Sequence, residues 1–410
     1  MTFWRTARKR GCNGLWREIS PDSNTQSRPA QPRRTDKHRN IFSFRRLRSP
    51  PVRRIVPLLA TVALSLFRPP SAWADDTKIS VRVVVVTTFE LGRDTGDIPG
   101  EFQNWVGKLP LSQEIAAPGT DHGVMRYNPS LQVLGLVTGE GPEHMASAMT
   151  GLVLDPRFDL RKAYFVLAGI GGIDPNFGPV GAAVWAPRVI NGGLAHMVDA
   201  REIPKNWPDG LLPVQGASPD LHPVPALHSQ WGDMGYTLNP GLVSWAYQLT
   251  RDVLLPDTKG LQASRARYRG YPQAQLPPKV MLGDTVSGET FWVGERMNRW
   301  AERWVKYWTE GKGVFATSAE EDIGFMQALS AQARAGRVDI NRVLILRTAS
   351  NYDMPHPGQS AAGLLQEESQ ESGFSGFMPS LDAAYRVGSV VVRELATRWD
   401  RYETNVPVSP

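Results

Sequence analysis

The chain has 410 residues, 46 Lys plus Arg against 40 Asp plus Glu, a formal charge of +6 and a single cysteine. The charge is unevenly placed: residues 1–74 hold 16 bases and three acids, so the other 336 residues carry 30 bases against 37 acids, a net −7. An acidic body of that kind excludes a polyanion-binding role, for nucleic acid or for an anionic membrane surface, and confines the basic character to the leader.

Within the leader, Arg53-Arg54 runs into the apolar stretch Ile55 to Phe67 and then into Ser71-Ala72-Trp73-Ala74. Positive flank, short apolar run and small-x-small site are the order of a secretory signal, so cleavage is expected after Ala74, with a periplasmic or secreted mature chain. The apolar run is shorter than the roughly 20 residues that a membrane-spanning helix needs. The first fifty residues exceed an ordinary flank and read as a disordered extension. Cys12 lies in this leader, so residues 75–410 have no thiol, no disulfide and no thiolate metal site. No later stretch reaches 18 consecutive apolar residues, and no transmembrane span is expected there.

The run Lys78 to Thr88 is β-branched and almost continuously apolar, as befits a strand buried on both faces. It leads into the polar segment Phe89 to Asp97. Leu131 to Gly139 repeats the pattern and precedes a helix expected from Glu143 to Leu154. Ala163 to Ala168 and Arg342 to Arg347 are two further strands, stopping at turns over Gly169-Ile170-Gly171-Gly172 and Thr348 to Asp353. Strands alternating with helices predict an α/β fold with a mostly parallel central sheet flanked by helices. Ligands of such sheets sit beyond the carboxyl ends of the strands.

Six prolines between Pro204 and Pro225 rule out a helix there and mark an insertion at about 195–280 within a single domain, 75–410. From Gly294 to Lys312, Met297, Trp300, Trp304 and Trp308 form an aromatic stripe on one helical face, suited to packing on the sheet, to a subunit contact or to stacking on a base. A last helix is expected behind Pro379-Ser380, with Ser380 as its cap, running to Trp399 with Tyr385, Val390, Val391 and Leu395 inward.

Gly169 to Gly172 would let backbone amides approach a ligand oxygen, and a tight turn explains the same residues equally well. The acids Glu320-Glu321-Asp322 suit the positive end of a helix, or a sugar diol, because one carboxylate accepts from two hydroxyls at once. Asn351 and Asp353 could hydrogen-bond a heterocycle and stabilise charge as it leaves. His222 and His228 are poorly spaced for a metal pair, so no metal site is expected, and no cofactor motif is present. The absence of a Gly-x-Ser-x-Gly elbow and of a phosphate loop argues against serine hydrolases and P-loop NTPases.

In combination and order, Thr87-Thr88-Phe89-Glu90, Phe102-Gln103-Asn104-Trp105, Thr138-Gly139-Glu140-Gly141, Ala168 to Pro175, Gly283-Asp284-Thr285 with Phe291-Trp292, Glu321-Asp322 and Arg347 to Asp353 resemble the purine nucleoside permease family over essentially all of the mature chain. That family is similar in motif order to nucleoside phosphorylases and nucleosidases. The resemblance implies a nucleoside phosphorylase-like fold and a purine nucleoside as ligand. It places Gly169, Gly171 and Gly172 beside the ribose or phosphate, Phe291 against the base, Glu321 on the ribose hydroxyls and Asn351 at purine N7. Asp353 is then a reserve proton donor, Glu90 the candidate for activating water and Arg93 a loose candidate for phosphate. Glu320 stands where that motif has a methionine. Two readings follow: an exported enzyme cleaving the N-glycosidic bond by hydrolysis or phosphorolysis, or a non-catalytic periplasmic component binding nucleosides for transport. A homo-oligomer is open to such a fold, with the tryptophan stripe as a candidate contact.

Overall fold

The computed structural model describes residues 78–216, 227–229, 232–369 and 375–408. The chain divides into Met1–Pro69 and Pro70–Pro410, and every described residue belongs to the second unit. The leader, the cleavage site expected in it, Cys12 and His222 lie outside the described residues.

A twelve-stranded sheet organises this unit: β1 (Val83–Thr87), β2 (Gln113–Ala116), β3 (Val124–Asn128), β4 (Val133–Val137), β5 (Tyr164–Ile173), β6 (Ala183–Trp185), β7 (Arg188–Asn191), β8 (Gly235–Thr237), β9 (Val280–Leu282), β10 (Asp284–Ser287), β11 (Phe315–Ala319) and β12 (Val343–Tyr352). The main path runs β8-β7-β10-β11-β5-β1-β4-β3-β2, with β12 pairing β5 and β6, and β6 pairing β9. Around β5 the neighbours β1 and β12 are parallel, as the apolar runs implied, but β11 meets β5 antiparallel. The sheet is thus mostly parallel, as expected, with antiparallel joins also between β6 and β12 and where β2, β3 and β8 are added.

Every residue of β1 and β4 is buried, since helices cover both faces and β-branched side chains fill the pleat between them. Helix α1 spans Gln103–Lys108 and α2 spans Pro142–Leu154, one residue earlier than expected. Helices α3 (Pro240–Thr250) and α4 (Lys259–Arg267) follow β8, so the second half of the Pro-rich region contributes regular elements. Next come α5 (Glu295–Trp308), α6 (Asp322–Arg334), α7 (Ala361–Glu368) and α8 (Phe377–Thr397). Among the described residues no helix is long and apolar enough to cross a membrane.

Three readings of local structure are corrected. The glycines of Gly169 to Gly172 are not a turn but the second half of β5, and Arg347 to Tyr352 likewise extends β12. These two strands pair in parallel from Phe165 with Val343 to Ile173 with Tyr352, and a register shift between Ala349 and Asn351 leaves Ser350 unpaired on the ladder. Glycine and short polar residues read as loop because they pack poorly on a sheet, but here their polar groups find partners across the site. The last helix begins at Phe377, with Gly376 rather than Ser380 in the cap position. Pro379 fits inside the first turn, where the missing N–H has no helical acceptor, and the Ser380 hydroxyl donates to the Phe377 carbonyl at 2.7 Å.

The tryptophan stripe resolves as interior packing. Trp300, Trp304 and Trp308 are buried against Ile190, Val286 and Phe315, and the Trp304 Nε1 donates to the Asn191 carbonyl at 2.8 Å. This face is consumed inside the unit and is not available for a subunit contact or for stacking on a base.

Candidate functional site

Arg347 on β12 is 1% exposed and holds the first of two polar clusters. Its Nε donates to Asp322 Oδ1 at 2.8 Å, its Nη2 to Glu321 Oε2 at 2.9 Å and its Nη1 to the Ile170 carbonyl at 2.9 Å. Because β11 runs antiparallel to β5, the chain leaving β11 carries Glu321 and Asp322 back along β5 to this point. Glu321 Oε1 also accepts from the Gly141 N–H at 3.2 Å, and Asp322 Oδ2 accepts from Thr285 Oγ1 at 2.9 Å.

Glu101 completes the cluster from the segment that follows β1. Its Oε2 accepts from the Thr88 N–H at 2.7 Å and the Thr88 hydroxyl at 2.9 Å, and its Oε1 accepts from the Ile170 N–H at 2.6 Å. Three carboxyl groups thus surround one guanidinium. Burial pushes the Glu101 carboxyl up to about 7, opposed by Arg347 and reinforced by Glu321. Burial alone would weaken the Arg347 charge, but Asp322, Glu321 and Glu101 outweigh it and hold the guanidinium above its ordinary value. Glu320, half-buried at the rim, is raised to about 7 by burial and then by Glu321 and Glu140.

The second cluster lies where β5 and β12 end. Asp353 is fully buried, its Oδ1 shares a 2.5 Å hydrogen bond with Ser318 Oγ, and its Oδ2 has no partner among the described residues. Burial raises its carboxyl well above the ordinary range, Ser318 opposes this and Asp174 adds to it. Asp174 is itself lifted to about 7 by burial, against hydrogen bonds from the Asn176 N–H at 2.8 Å and the Asn298 amide at 3.0 Å. Asn351 Oδ1 accepts from the Ser350 hydroxyl at 2.8 Å.

Both clusters press on the same stretch of β5. A Cβ at Gly169 would stand 2.5 Å from Arg347 Nη1 and 2.8 Å from Glu101 Oε1, and one at Gly172 would stand 1.9 Å from Asp353 Oδ1. At Gly171 it would meet the Ser318 carbonyl at 2.5 Å. The glycines are therefore required by side chains at Gly169 and Gly172 and by the β11 backbone at Gly171, not by turn geometry. Three residues of extended strand span about 10 Å, which is the length of a nucleoside from sugar to base.

The expected site residues are placed as follows. Glu321 joins the Gly169 end, while Asn351 and Asp353 border the Gly172 end. Glu90 is engaged differently: its Oε1 accepts from the Leu91 N–H at 2.9 Å and from the Gly100 N–H, and its Oε2 from the Phe102 and Gln103 N–H groups at 3.0 and 2.6 Å. It thereby anchors the start of α1 and leads the chain to Glu101. Arg93 is apart from both clusters, with its side chain 77% exposed and 3.8 Å from Asp97. Phe291 is 47% exposed in the loop between β10 and α5, while its neighbour Trp292 turns inward, edge-on to Trp300 with centroids 6.1 Å apart. Among the described residues no group of three or more His, Cys, Asp or Glu side chains could hold a metal ion.

Glu101, Asp174 and Ser318 carry no signal that the sequence alone could expose. Glu101 sits in Gly100-Glu101-Phe102, where an acid ahead of a helix reads as a capping group, and only the return of β5 and β12 gives it a cation.

The raised carboxyls set a pH signature. Glu101 and Asp174 hold protons more tightly folded than unfolded, against ordinary values of 4.5 and 3.8. Their contribution to stability is complete below those values and is lost as pH rises through about 7. The thermal midpoint should therefore be higher near pH 5 than near pH 8.5 in calorimetry at constant ionic strength. A midpoint that climbs over that window would contradict the assignment.

Comparisons with known proteins bear on this geometry. A family model described as purine nucleoside permease (NUP) matches residues 80–407. A purine nucleoside permease of Candida albicans is 25% identical over 330 residues, 79% of this chain and 77% of its own. A Schizosaccharomyces pombe protein named "probable purine nucleoside permease" is 28% identical over 329 residues, 78% and 90% of the two chains. A solved 5′-methylthioadenosine/S-adenosylhomocysteine nucleosidase from Neisseria meningitidis superposes with a TM-score of 0.44 at 12% identity, covering 78% of this chain and 99% of its own.

Proposed function

The chain is a member of the purine nucleoside permease family, and from that premise we propose that it binds a purine nucleoside along β5 and hydrolyses its N-glycosidic bond. The observation that carries this reading is the pair of buried carboxyl clusters at the two ends of Gly169 to Gly172. The sugar lies at the Arg347 end, where the free lone pairs of Glu321 accept from the ribose hydroxyls. The base lies at the other end, beside Asn351 and Asp353.

Bond cleavage builds positive charge on the sugar and negative charge on the base. The carboxyl-rich Arg347 end matches the first. Glu101, with its carboxyl raised to about 7, is poised near working pH to take a proton from attacking water. Water rather than phosphate is favoured as nucleophile, because Arg347 is already committed to Glu321, Asp322 and the Ile170 carbonyl, and the acidic surroundings repel an anion.

Incubating residues 75–410 with inosine, adenosine and guanosine, with and without phosphate, tests the reading. Free base in phosphate-free buffer is the expected result. Base released only with phosphate would replace hydrolysis by phosphorolysis. Measurable binding with intact nucleoside after long incubation would favour a second reading, a nucleoside-binding component of transport. One observation supports that alternative: the oxygens of Glu90, the residue expected to activate water, and those of Glu101 are all engaged by backbone N–H groups or the Thr88 hydroxyl. Under either reading the signal-like leader points to export to the periplasm or exterior, which fractionation of cells expressing the full chain would check.

A further inference from the structure

Glu368, the last residue of α7, has no part in the mechanism above. It is 5% exposed; the Asn351 side chain faces its carboxyl closely enough to favour the charged form, but among the described residues neither carboxyl oxygen has a well-formed hydrogen bond. It borders a cleft that also has Ser350, Asn351, His356 and Gln359 on its walls, with about 30 Å³ open to water centres. That space admits a water molecule, and the walls supply the two or more polar partners that a water needs. Glu367 also lines the cleft, where its carboxylate is taken up by Arg267 at 2.6 Å and by the Gln359 amide at 2.7 Å.

N-glycosidic cleavage leaves the purine with an extra electron pair, and its nitrogen must be protonated. Asn351, the residue at the base end, has no acidic proton to give. We propose that Glu368 is the acid that protonates the departing purine, through one water held in the cleft it shares with Asn351. This rests on the enzymatic reading above and extends it. The C1′–N9 bond breaks with its electron pair moving to the purine, and the purine nitrogen takes a proton relayed from Glu368. The water oxygen bonds to C1′ and its proton goes to Glu101. Glu368 then regains a proton from solvent and Glu101 releases one, so nucleoside and water give purine and ribose.

The alternative donor is Asp353, but its carboxyl is fully buried, tied to Ser318 and not on the wall of the cleft that Glu368 borders. Glu368 is raised to about 8 by burial and then by Asp353, with Asn351 opposing and Glu367 adding. Arg267 faces Glu367, and His356 lies on the cleft wall, its Nδ1 2.9 Å from the Pro357 carbonyl. Glu368 is therefore protonated below about pH 8, and a rate that needs its proton declines as pH rises through that value.

Glu368→Gln keeps the shape and removes the proton. Two substrates separate the roles: inosine, whose leaving purine needs protonation, and 4-nitrophenyl β-D-ribofuranoside, whose nitrophenolate departs without it. The expected result is a loss of about 100-fold or more on inosine, disappearance of the basic limb near pH 8 and a change of less than about threefold on the nitrophenyl riboside. Glu368→Asp, which keeps an acid, should recover part of the inosine rate together with the limb. Equal losses on both substrates would show a structural role and overturn the proposal, as would an unchanged inosine rate. If the unmodified protein cleaves neither substrate, the enzymatic reading fails and the proposal fails with it. Cleavage of both by that protein, with an unaffected Glu368→Gln, removes the proposal alone.

Discussion

Arg347→Met is expected to lose about 3–5 kcal/mol of folding stability, the usual consequence of removing one partner from a buried charge cluster. Arg347 is 1% exposed and is the guanidinium at the centre of Glu321, Asp322 and Glu101. Methionine fills the space but leaves those acids facing one another without a cation, and it frees the Ile170 carbonyl. Against a total stability of about 5–15 kcal/mol this loss is severe. Denaturant unfolding of both proteins measures it, and a loss under about 1 kcal/mol would show that the cluster is not electrostatically coupled. Adding Asp322→Asn to Arg347→Met should recover part of the loss, and a double-mutant cycle reads that coupling directly.

Glu101→Gln is expected to lower turnover of inosine by about 10²–10⁴-fold, the range for removing a general base. The wild-type rate should rise with pH through about 7, where Glu101 loses its proton, and the variant should lack that limb. The substitution also turns an amide towards the Thr88 or Ile170 N–H, which costs stability of about 1–3 kcal/mol. Binding of intact nucleoside is the discriminating readout. Loss of turnover with affinity kept within a few fold supports a catalytic role, and equal loss of both would assign Glu101 to structure.

The sheet was legible where side chains are apolar. The β-branched Val83 to Thr87 and the apolar Val133 to Val137 behave as their composition requires. Legibility failed at the glycine-rich end of the same sheet, where Gly169 to Gly172 and Thr348 to Tyr352 are strands in spite of their composition. There the ladder is kept by long-range partners: Glu101 on Ile170, Ser318 on Asp353, Arg347 on the acids after β11. No local propensity encodes such contacts. For the same reason the sequence singles out Glu321, at a strand-to-helix junction, which the structure places against Arg347, but not Glu101 or Glu368. Each is an ordinary acid at a helix end until tertiary structure buries it. The tryptophan stripe shows the converse, a strong local pattern whose plain reading as core was the right one.

The most direct test of the account is the affinity for a purine C-nucleoside, whose base is joined to ribose through carbon and so survives either enzyme or binder. Calorimetric titration should show binding by the unmodified protein. Glu321→Ala should weaken it by about 30-fold or more, the equivalent of losing about 2 kcal/mol of charge-assisted hydrogen bonds to the ribose hydroxyls. Affinity unchanged within twofold in that variant, or no binding at all by the unmodified protein, would contradict the placement of the nucleoside on β5.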